Sequence, residues 1–599
     1  MKKYLFLFPA ICILQLMALS VSATKPTSVN VNVFGQSIAI DIAGNVYATG
    51  AFVAPFLTFT TIEGTKITLA NSSTLGADMF IVKYDPSGNV LWAVSAGGSD
   101  GDLSYGIATD GTGNVYVAGS FFGPTMTFGN LTLNNTSIAG QADAFIAKYD
   151  ADGNLLWATS IAGNLEDEIE YIAVDATGIY VTGLFDSPVL NIMNEDGTTF
   201  KTLNPYPGAT NYDMYVVKYD PNGFALWANS AGGSGYDGGE SIATDGDGAV
   251  YVIGMFSAPS ITFGNTVLTN VGYSDIFIVK YSANEGTVQW ATKAGGPSSD
   301  HPGKVAVSAD GNIYITGFYG NSSLTFFAVP PNPFSITLTN NAPKGDYNMF
   351  IVRYDPNGIP LQAKNAKGGI SSWTSLATGG GFVYATGAFS SPTIIFGNYT
   401  LTNTSRSLDI YIVKYDPSLN VVWAKSAGGK FDEATWDIAS NSNGDAFVTG
   451  YFASPSLTFG NITLVNTTST CEDAFIAKYA PDGSVPWAKC LQGSATSGNL
   501  KSTNKIANET LTNEISVYPN PTSGKVTLST GNSQVSISSI SVFNMVGKEV
   551  LSRQFSVGSQ QSAVGSRQTD VDLSSQPKGL YIILIRAGEN FYQKKIILE

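Results

Sequence analysis

Apolar residues in this chain fall in short dense runs, not at helical spacing. Across residues 30–492, runs of five to eight residues rich in Val, Ile, Phe and Tyr alternate with clusters of Gly, Pro, Asn and Asp. Such runs predict β-strands, and the region carries no 3.6-residue periodicity. A first module reads Gly44-Asn45-Val46-Tyr47-Ala48-Thr49-Gly50. It returns with closing glycines Gly119, Gly183, Gly254, Gly317, Gly387 and Gly450, a mean period of about 67 residues. A second module opens at Asp78 and continues Phe80-Ile81-Val82-Lys83-Tyr84-Asp85-Pro86-Ser87-Gly88, ending at Trp92. Its opening acid is read again at Asp143, Asp213, Asp275, Asp346, Asp409 and Asp473, and its tryptophan at Trp157, Trp227, Trp290, Trp423 and Trp487. Gln362 takes the tryptophan's place in the fifth copy. In Asp-Pro-Ser-Gly, Asp accepts a local hydrogen bond, Pro presets φ and Gly supplies positive φ, so each module is a hairpin.

Two hairpins per repeat give four strands, apolar on both faces. Both faces must then be covered, which neighbouring copies do for each other in a ring. The predicted fold is all-β: a seven-bladed β-propeller over residues 24–493. The repeated tryptophan reads as packing between blades. The basic residue of each Lys-Tyr pair (Lys83, Lys148, Lys218, Lys280, Arg353, Lys414, Lys478) alternates with inward apolar residues. Unpaired buried ammonium groups are costly, so partners are expected among Asp41, Asp110, Asp175 and Asp245 or the strand-opening aspartates.

These modules resemble the bacterial propeller repeat known as the SBBP repeat, over roughly residues 30–492. That likeness implies a fold and an exported location, and no particular reaction. Gly88-Asn89-Val90-Leu91-Trp92 also resembles the docking motif of quinoprotein propellers. Those have eight blades and many carry adjacent cysteines, both lacking here, so no quinone and no other cofactor is expected.

The ends read differently from the repeats. Lys2-Lys3, an apolar run over 4–20 and Val21-Ser22-Ala23 form a secretory signal peptide, residues 1–23. Residues 494–513 are a polar linker. Residues 514–599 alternate short strands and turns, predicting a small β-sandwich. This tail resembles the C-terminal sorting domain of type IX secretion cargo. The matching residues are Tyr518-Pro519-Asn520-Pro521 with Gly524, then Val542 to Val550 around Gly547, then Gly579-Leu580-Tyr581, then Lys594-Lys595-Ile596-Ile597. The resemblance implies the type IX secretion machinery and its sortase-like peptidase as partners. It also implies release from the cell or attachment to surface lipopolysaccharide.

Composition narrows the chemistry. The 599 residues are 44% hydrophobic and 13% charged, with net charge −15. That excludes global disorder and argues against nucleic acid. No other run is long and apolar enough for a membrane span. One histidine, His301, excludes chemistry needing two imidazoles, and its Ser298-Ser299-Asp300-His301-Pro302 context predicts an exposed loop. Three cysteines exclude a thiolate metal cluster, and no metal site is expected. Signal removal leaves Cys471 and Cys490, which flank a predicted hairpin and are candidates for one disulfide, with free thiols as the alternative. Loops between blades carry Asp100, Asp102, Glu166, Asp167, Glu168, Glu170, Asp237, Glu240, Asp300, Asp432 and Glu433 on one face, with Tyr105, Tyr171, Tyr236, Trp373, Phe431 and Trp436 among them. The ligand-binding candidates are Asp100, Tyr105, Glu168, Tyr171, Tyr236, Asp237, Trp373, Asp432 and Trp436. Acids beside aromatics suit an unknown surface glycan or protein, or a carboxylate pair that cleaves glycans. No catalytic residue is assigned. Two longer connections, 186–212 and 320–347, depart from the repeat and are expected to add a binding surface.

Overall fold

The computed structural model describes residues 33–491 and 516–598, except 74–75, 139, 210, 247, 321, 341–346, 371–373, 406, 467–471, 519–521, 530–536, 545–548, 555–567 and 588–589. Its regular elements are all strands. In the first repeat Val33–Ile40, Val46–Phe52, Asp78–Tyr84 and Val90–Gly98 pair antiparallel in chain order. The same sheet recurs six times, with first strands Asp102–Thr109, Asp167–Asp175, Asp237–Thr244, Asp300–Val307, Thr374–Gly379 and Glu433–Ser440. These seven first strands pack side by side around an axis, and the first contacts the seventh. The ring is a seven-bladed propeller. Second and third strands such as Val46–Phe52 and Asp78–Tyr84 are buried at every position, so the missing polar alternation in the sequence marks strands covered on both faces.

One contact joins blade to blade. The indole N–H of Trp92 and the ammonium of Lys83 both donate to the carbonyl of Ala151, each at 2.9 Å, in the turn of the next blade. Trp227 and Lys218 do the same to Ala283, and Trp157 and Lys148 to Pro221. Trp487 donates to Pro86 of the first blade at 3.2 Å, which closes the ring. Lys83, Lys148, Lys218, Lys280 and Lys414 also lie over a tyrosine ring of their own blade, as Lys83 does 5.0 Å from the centre of Tyr47, and Lys478 lies over Phe447. The expected aspartate partners are therefore mostly replaced by carbonyls. Asp41 instead accepts from Tyr47 at 2.9 Å, and Lys478 with Asp445 at 2.9 Å is the described exception.

The turn glycine lets the tryptophan approach. A Cβ at Gly88 would lie 2.9 Å from the Trp487 ring, and φ there is +84°. The sixth blade breaks both halves of this rule together. Its turn carries Leu419, a buried leucine at φ 56° where the other blades have glycine, and the blade before it carries Gln362 in place of tryptophan. Arg353 and Tyr314 take over the bonds to the Pro417 carbonyl, at 2.7 and 3.0 Å.

Every repeat also has two strands that the periodicity did not predict, a hairpin between its second and third strands. Phe56–Thr60 with Lys66–Ala70 is the first. Three of these hairpins pair with the outer strand of the preceding blade, through Gly97 with Thr127, Ile161 with Ile192, and Ala294 with Phe326. They cover a sheet edge that would otherwise offer unpaired backbone. The connections 186–212 and 320–347 are longer versions of this shared hairpin, containing Leu190–Met193 with Thr199–Leu203 and Ser323–Phe327 with Ser335–Thr339. The strand-opening residue of the fifth blade is Asn348, and Asp346 lies outside the described residues.

Cys490 carries a free thiol and stands opposite Phe475, while Cys471 lies outside the described residues. So do residues 1–23 and 494–513, expected as signal peptide and linker, and Pro519, Asn520, Pro521 and Gly547. In the tail, Ser516–Tyr518, Lys525–Ser529 and Gln568–Asp572 form one sheet, and Glu549–Gln554, Ile537–Asn544, Gly579–Ala587 and Asn590–Leu598 another. Leu528, Val542, Val571 and Ile583 share one core between them. Gly579, Lys594 and Lys595 fall in these strands, and Tyr581 is buried with its hydroxyl on the Pro577 carbonyl at 2.5 Å.

The paired exception at Gln362 and Leu419 is testable by a double-mutant cycle. Gln362→Trp alone overpacks the junction and should cost about 1–3 kcal/mol. Leu419→Gly alone removes a buried leucine and should cost about 2–3 kcal/mol, after relief of its positive φ. The double variant restores the arrangement of the other blades, so a favourable coupling of about 2 kcal/mol is expected in urea unfolding. Simple additivity would show that the two positions do not meet.

Candidate functional site

The first strand of each blade lines the axis, and five of them carry an extra residue in mid-strand. Their registers shift around Gln36, Tyr105, Glu170, Glu240 and Trp436, and in the fifth blade Gly303 and Lys304 together stand opposite the single Thr316. The sixth blade has no bulge, and Thr374 and Ser375 pair regularly with Gly387 and Thr386. A bulge re-aims its side chain, here toward the axis. Past the bulge every copy returns to the same pair, an aliphatic residue and then alanine, from Ile38-Ala39 to Ile438-Ala439. The shared positions hold the blades together, and the bulge positions differ in nearly every blade. They enclose a cavity of about 110 Å³.

Asp437 organises its floor. Its Oδ2 accepts from Ser37 Oγ at 2.7 Å, Ile38 N at 3.1 Å and Tyr171 OH at 3.3 Å. Its Oδ1 accepts from Ser375 Oγ and its neighbour Ile438 N, both at 2.9 Å, and pairs with the Lys304 ammonium. One carboxylate thus ties together blades one, three, five, six and seven. Burial opposes the charge on Lys304, but Asp437 and Tyr171 outweigh it and hold its pKa above the usual lysine value. Its ammonium stands 4.3 Å from the centre of the Tyr171 ring.

The opposite wall is unsatisfied. Gln36 Oε1, Tyr105 OH, Glu170 Oε1, Glu240 Oε1 and Trp436 Nε1 are buried atoms without a hydrogen-bond partner. Burial pushes the Glu170 carboxyl up to about 7, and burial together with Glu170 raises Glu240 well above the carboxylate range. Burial, then Glu168 and Glu170, raise Tyr105. Glu170, Tyr171, Glu240 and Trp436 remain partly exposed, so the cavity communicates with solvent.

Of the residues expected from sequence, Tyr105, Tyr171 and Trp436 meet in this cavity. They reach it from strands, not loops. Glu168 is buried one turn of the pleat away, its carbonyl bonded by Tyr215 OH at 2.9 Å. Asp237 is fully buried and accepts from Ala258 N. Tyr236 packs on Tyr212 with ring centres 5.7 Å apart. Asp100 and Asp432 are exposed and bond backbone N–H groups of Gly101 and Leu408, away from the cavity. Trp373 lies outside the described residues. His301 is a strand residue stacked 4.7 Å from Phe318, and burial pushes its pKa down to about 4, so it is neutral and packed. Gln36, Lys304 and Asp437 were not singled out from sequence, and Glu170 and Glu240 were read as loop acids.

Comparison with known proteins bears on the tail most directly. Residues 516–599 match the family described as the secretion system C-terminal sorting domain. The tail is a sorting domain. It marks the chain for type IX secretion to the cell surface or exterior. An uncharacterized WD repeat-containing protein of Acanthamoeba polyphaga mimivirus is 27% identical across 473 residues, 67% of this chain and 33% of the relative. Regulatory protein FlaEY of Caulobacter vibrioides is 26% identical across 399 residues, 62% of this chain and 39% of the relative. The chain thus spans only about a third of the length of these relatives. A crystal structure of a puromycin hydrolase shares 9% identity at a TM-score of 0.34, covering 86% of this chain and 60% of that one. A likeness at that level says nothing about activity. Among the described residues no helix is long and apolar enough to cross a membrane.

The acids that open first and third strands meet at the junctions between blades. Burial raises Asp78 and Asp237 to about 7, Asp167 to about 8, Glu433 to about 7 and Asp409 to about 6. All lie above the unfolded value near 4, so the folded chain holds more protons than the unfolded chain between these limits. Their contribution is complete below about pH 4 and is lost as pH rises through 6–8. The urea midpoint of the propeller should therefore be lower at pH 8 than at pH 5, and Asp167→Asn should flatten the difference. A midpoint that rises with pH would show these carboxylates to be ionised and well paired.

Proposed function

We propose that the protein is an exported binding module, an SBBP-type propeller that engages a glycan or protein ligand at the cell surface through the cavity on its axis. The observation that carries this reading is the set of buried, unpartnered polar atoms on five bulge residues. Buried polar groups are normally satisfied within a fold, and leaving one unmade costs about 1–3 kcal/mol. A site that keeps several of them open is arranged for an external partner. Differences between the bulges fit this role, because packing alone would favour the same residue in each blade. On this reading residues 1–23 take the chain through the inner membrane, and the tail hands it to the type IX machinery and its sortase-like peptidase.

A second reading rests on Glu170 and Glu240. A carboxyl near neutrality beside another acid in one cavity is the equipment of a glycan-cleaving enzyme, one acting as acid and the other as base or nucleophile. Turnover of a polysaccharide panel that disappears in Glu170→Gln would favour it over binding alone.

Two outcomes test the main reading. Removing residues 514–599 should leave the propeller folded by circular dichroism and retained in the periplasm by cell fractionation, and undiminished secretion would contradict it. Gln36→Leu removes an unpartnered buried acceptor. It should leave the thermal midpoint unchanged or higher while weakening, about tenfold, whatever ligand a glycan and peptide array identifies. Full binding by this variant would place the site elsewhere.

A further inference from the structure

The acids on the cavity wall outnumber its one base. Four ionisable side chains line it: Glu170, Glu240, Lys304 and Asp437. Lys304 and Asp437 neutralise each other. No ion pair within 4.0 Å joins Glu170 or Glu240 to a cation among the described residues. The unpartnered atoms lean the same way. Gln36 Oε1 and an ionised Glu170 Oε1 or Glu240 Oε1 can only accept, Tyr105 OH can do either, and Trp436 Nε1 alone can only donate. Gln36 and Tyr105 are each only 8% exposed, so their open valences are internal to the site and water has little access to them. Such a wall suits a ligand rich in donors, and a positive charge on it would favour the ionised form of Glu170 and Glu240, whose protons then pass to solvent.

Aromatic rings refine the choice. An ammonium is attracted to the face of Tyr or Trp, more strongly where water is excluded. The cavity already holds one example, because Lys304 lies against Tyr171 and ends on Asp437. Trp436 and Tyr105 line the same cavity as Glu170 and Glu240, so the site contains one filled ammonium position and the materials for another. Its size sets the reach. An apolar cavity of about 150 Å³ accommodates one benzene, and the smaller inner space here suits a head group on a narrow stem.

We propose that the hub cavity receives a primary ammonium group on a slender aliphatic stem, held by Glu170, Glu240 and Gln36 against Trp436 and Tyr105. This rests on the reading of the cavity as the binding site and names the chemistry it selects. The same chemistry is presented by a free alkyl amine and by the side chain of an exposed lysine on a partner protein.

Calorimetry on the full chain separates the possibilities. The probes are cadaverine, mono-N-acetylcadaverine, the peptide acetyl-Gly-Lys-Gly-amide, its Nε-acetylated form, and the neutral sugars galactose and N-acetylglucosamine. At least one amine probe should bind, and acetylating the lysine amine should weaken the peptide by about tenfold or more. Glu240→Gln and Glu170→Gln keep side-chain volume while removing the charge, and each should weaken amine binding about tenfold with the thermal transition retained. Tighter binding of cadaverine than of the peptide assigns the site to a free amine, and equal or tighter binding of the peptide assigns it to a lysine side chain. Equal binding of amine and acetylated peptide, or unchanged affinity in both glutamine variants, overturns the proposal. If the sugars bind and Gln36→Leu abolishes that binding while the amines do not bind, the ammonium assignment fails and the hub remains a binding site. If neither class binds, the ammonium assignment fails, and the array experiment with Gln36→Leu decides the hub separately.

Discussion

A single backbone carbonyl, presented by a tight turn and bonded by a tryptophan and a lysine of the blade before it, is the joint on which this ring depends. The four principal strands of a blade all come from one repeat, and only some outer hairpins reach across to pair with the preceding blade. Cohesion between neighbours rests on this joint, on the packed faces around it and on those hairpins. The carbonyl has two lone pairs, and the indole and ammonium use both, so an otherwise costly buried cation is accommodated by a neutral acceptor and a tyrosine ring. The joint tolerates change only when both sides change, as at Gln362 and Leu419.

Because the blades are joined away from the axis, the first strands are released from conformity at one point. Each keeps its aliphatic-alanine pair for packing, and the bulge before that pair is open to differ. Asp437 is the exception that makes the hub a single object, gathering groups from five blades onto one carboxylate. The remaining wall keeps acceptors and aromatic faces uncommitted. A repeat protein thus contains a non-repeating site, built at the bulge and the residue after it in successive first strands.

The number of blades, the four principal strands, the turns and the packing role of the tryptophan were legible in the sequence, because each was repeated and each had a strong local cause. The outer hairpins were not. Strands such as Thr125–Phe128 and Leu131–Asn134 are four residues long, half exposed and rich in Thr and Asn, so they look like loop. The site was half legible. Tyr105, Tyr171 and Trp436 stood out by type, yet Asp102 to Tyr105 and Asp167 to Glu170 were read as loop because a bulge breaks the two-residue alternation that identifies a strand. Aligning the seven first strands on their aliphatic-alanine pair exposes two variable columns just before it, with Gln36, Glu170 and Glu240 in one and Lys304 and Asp437 in the other. The lysine partners escaped for another reason. Sequence shows charged groups, and the group that mattered was a main-chain carbonyl.

Each blade is laid down from the axis outward, so the chain enters the ring at its centre, at Val33–Ile40, and leaves it at the perimeter, at Trp487–Leu491. Whatever pulls on the sorting domain therefore pulls on an edge strand, which can peel one backbone pair at a time. That strand carries Trp487, the residue that fastens the last blade to the first. Mechanical load from the tail is thus directed to the seam of the ring, and the hub lies three strands inward from the tether.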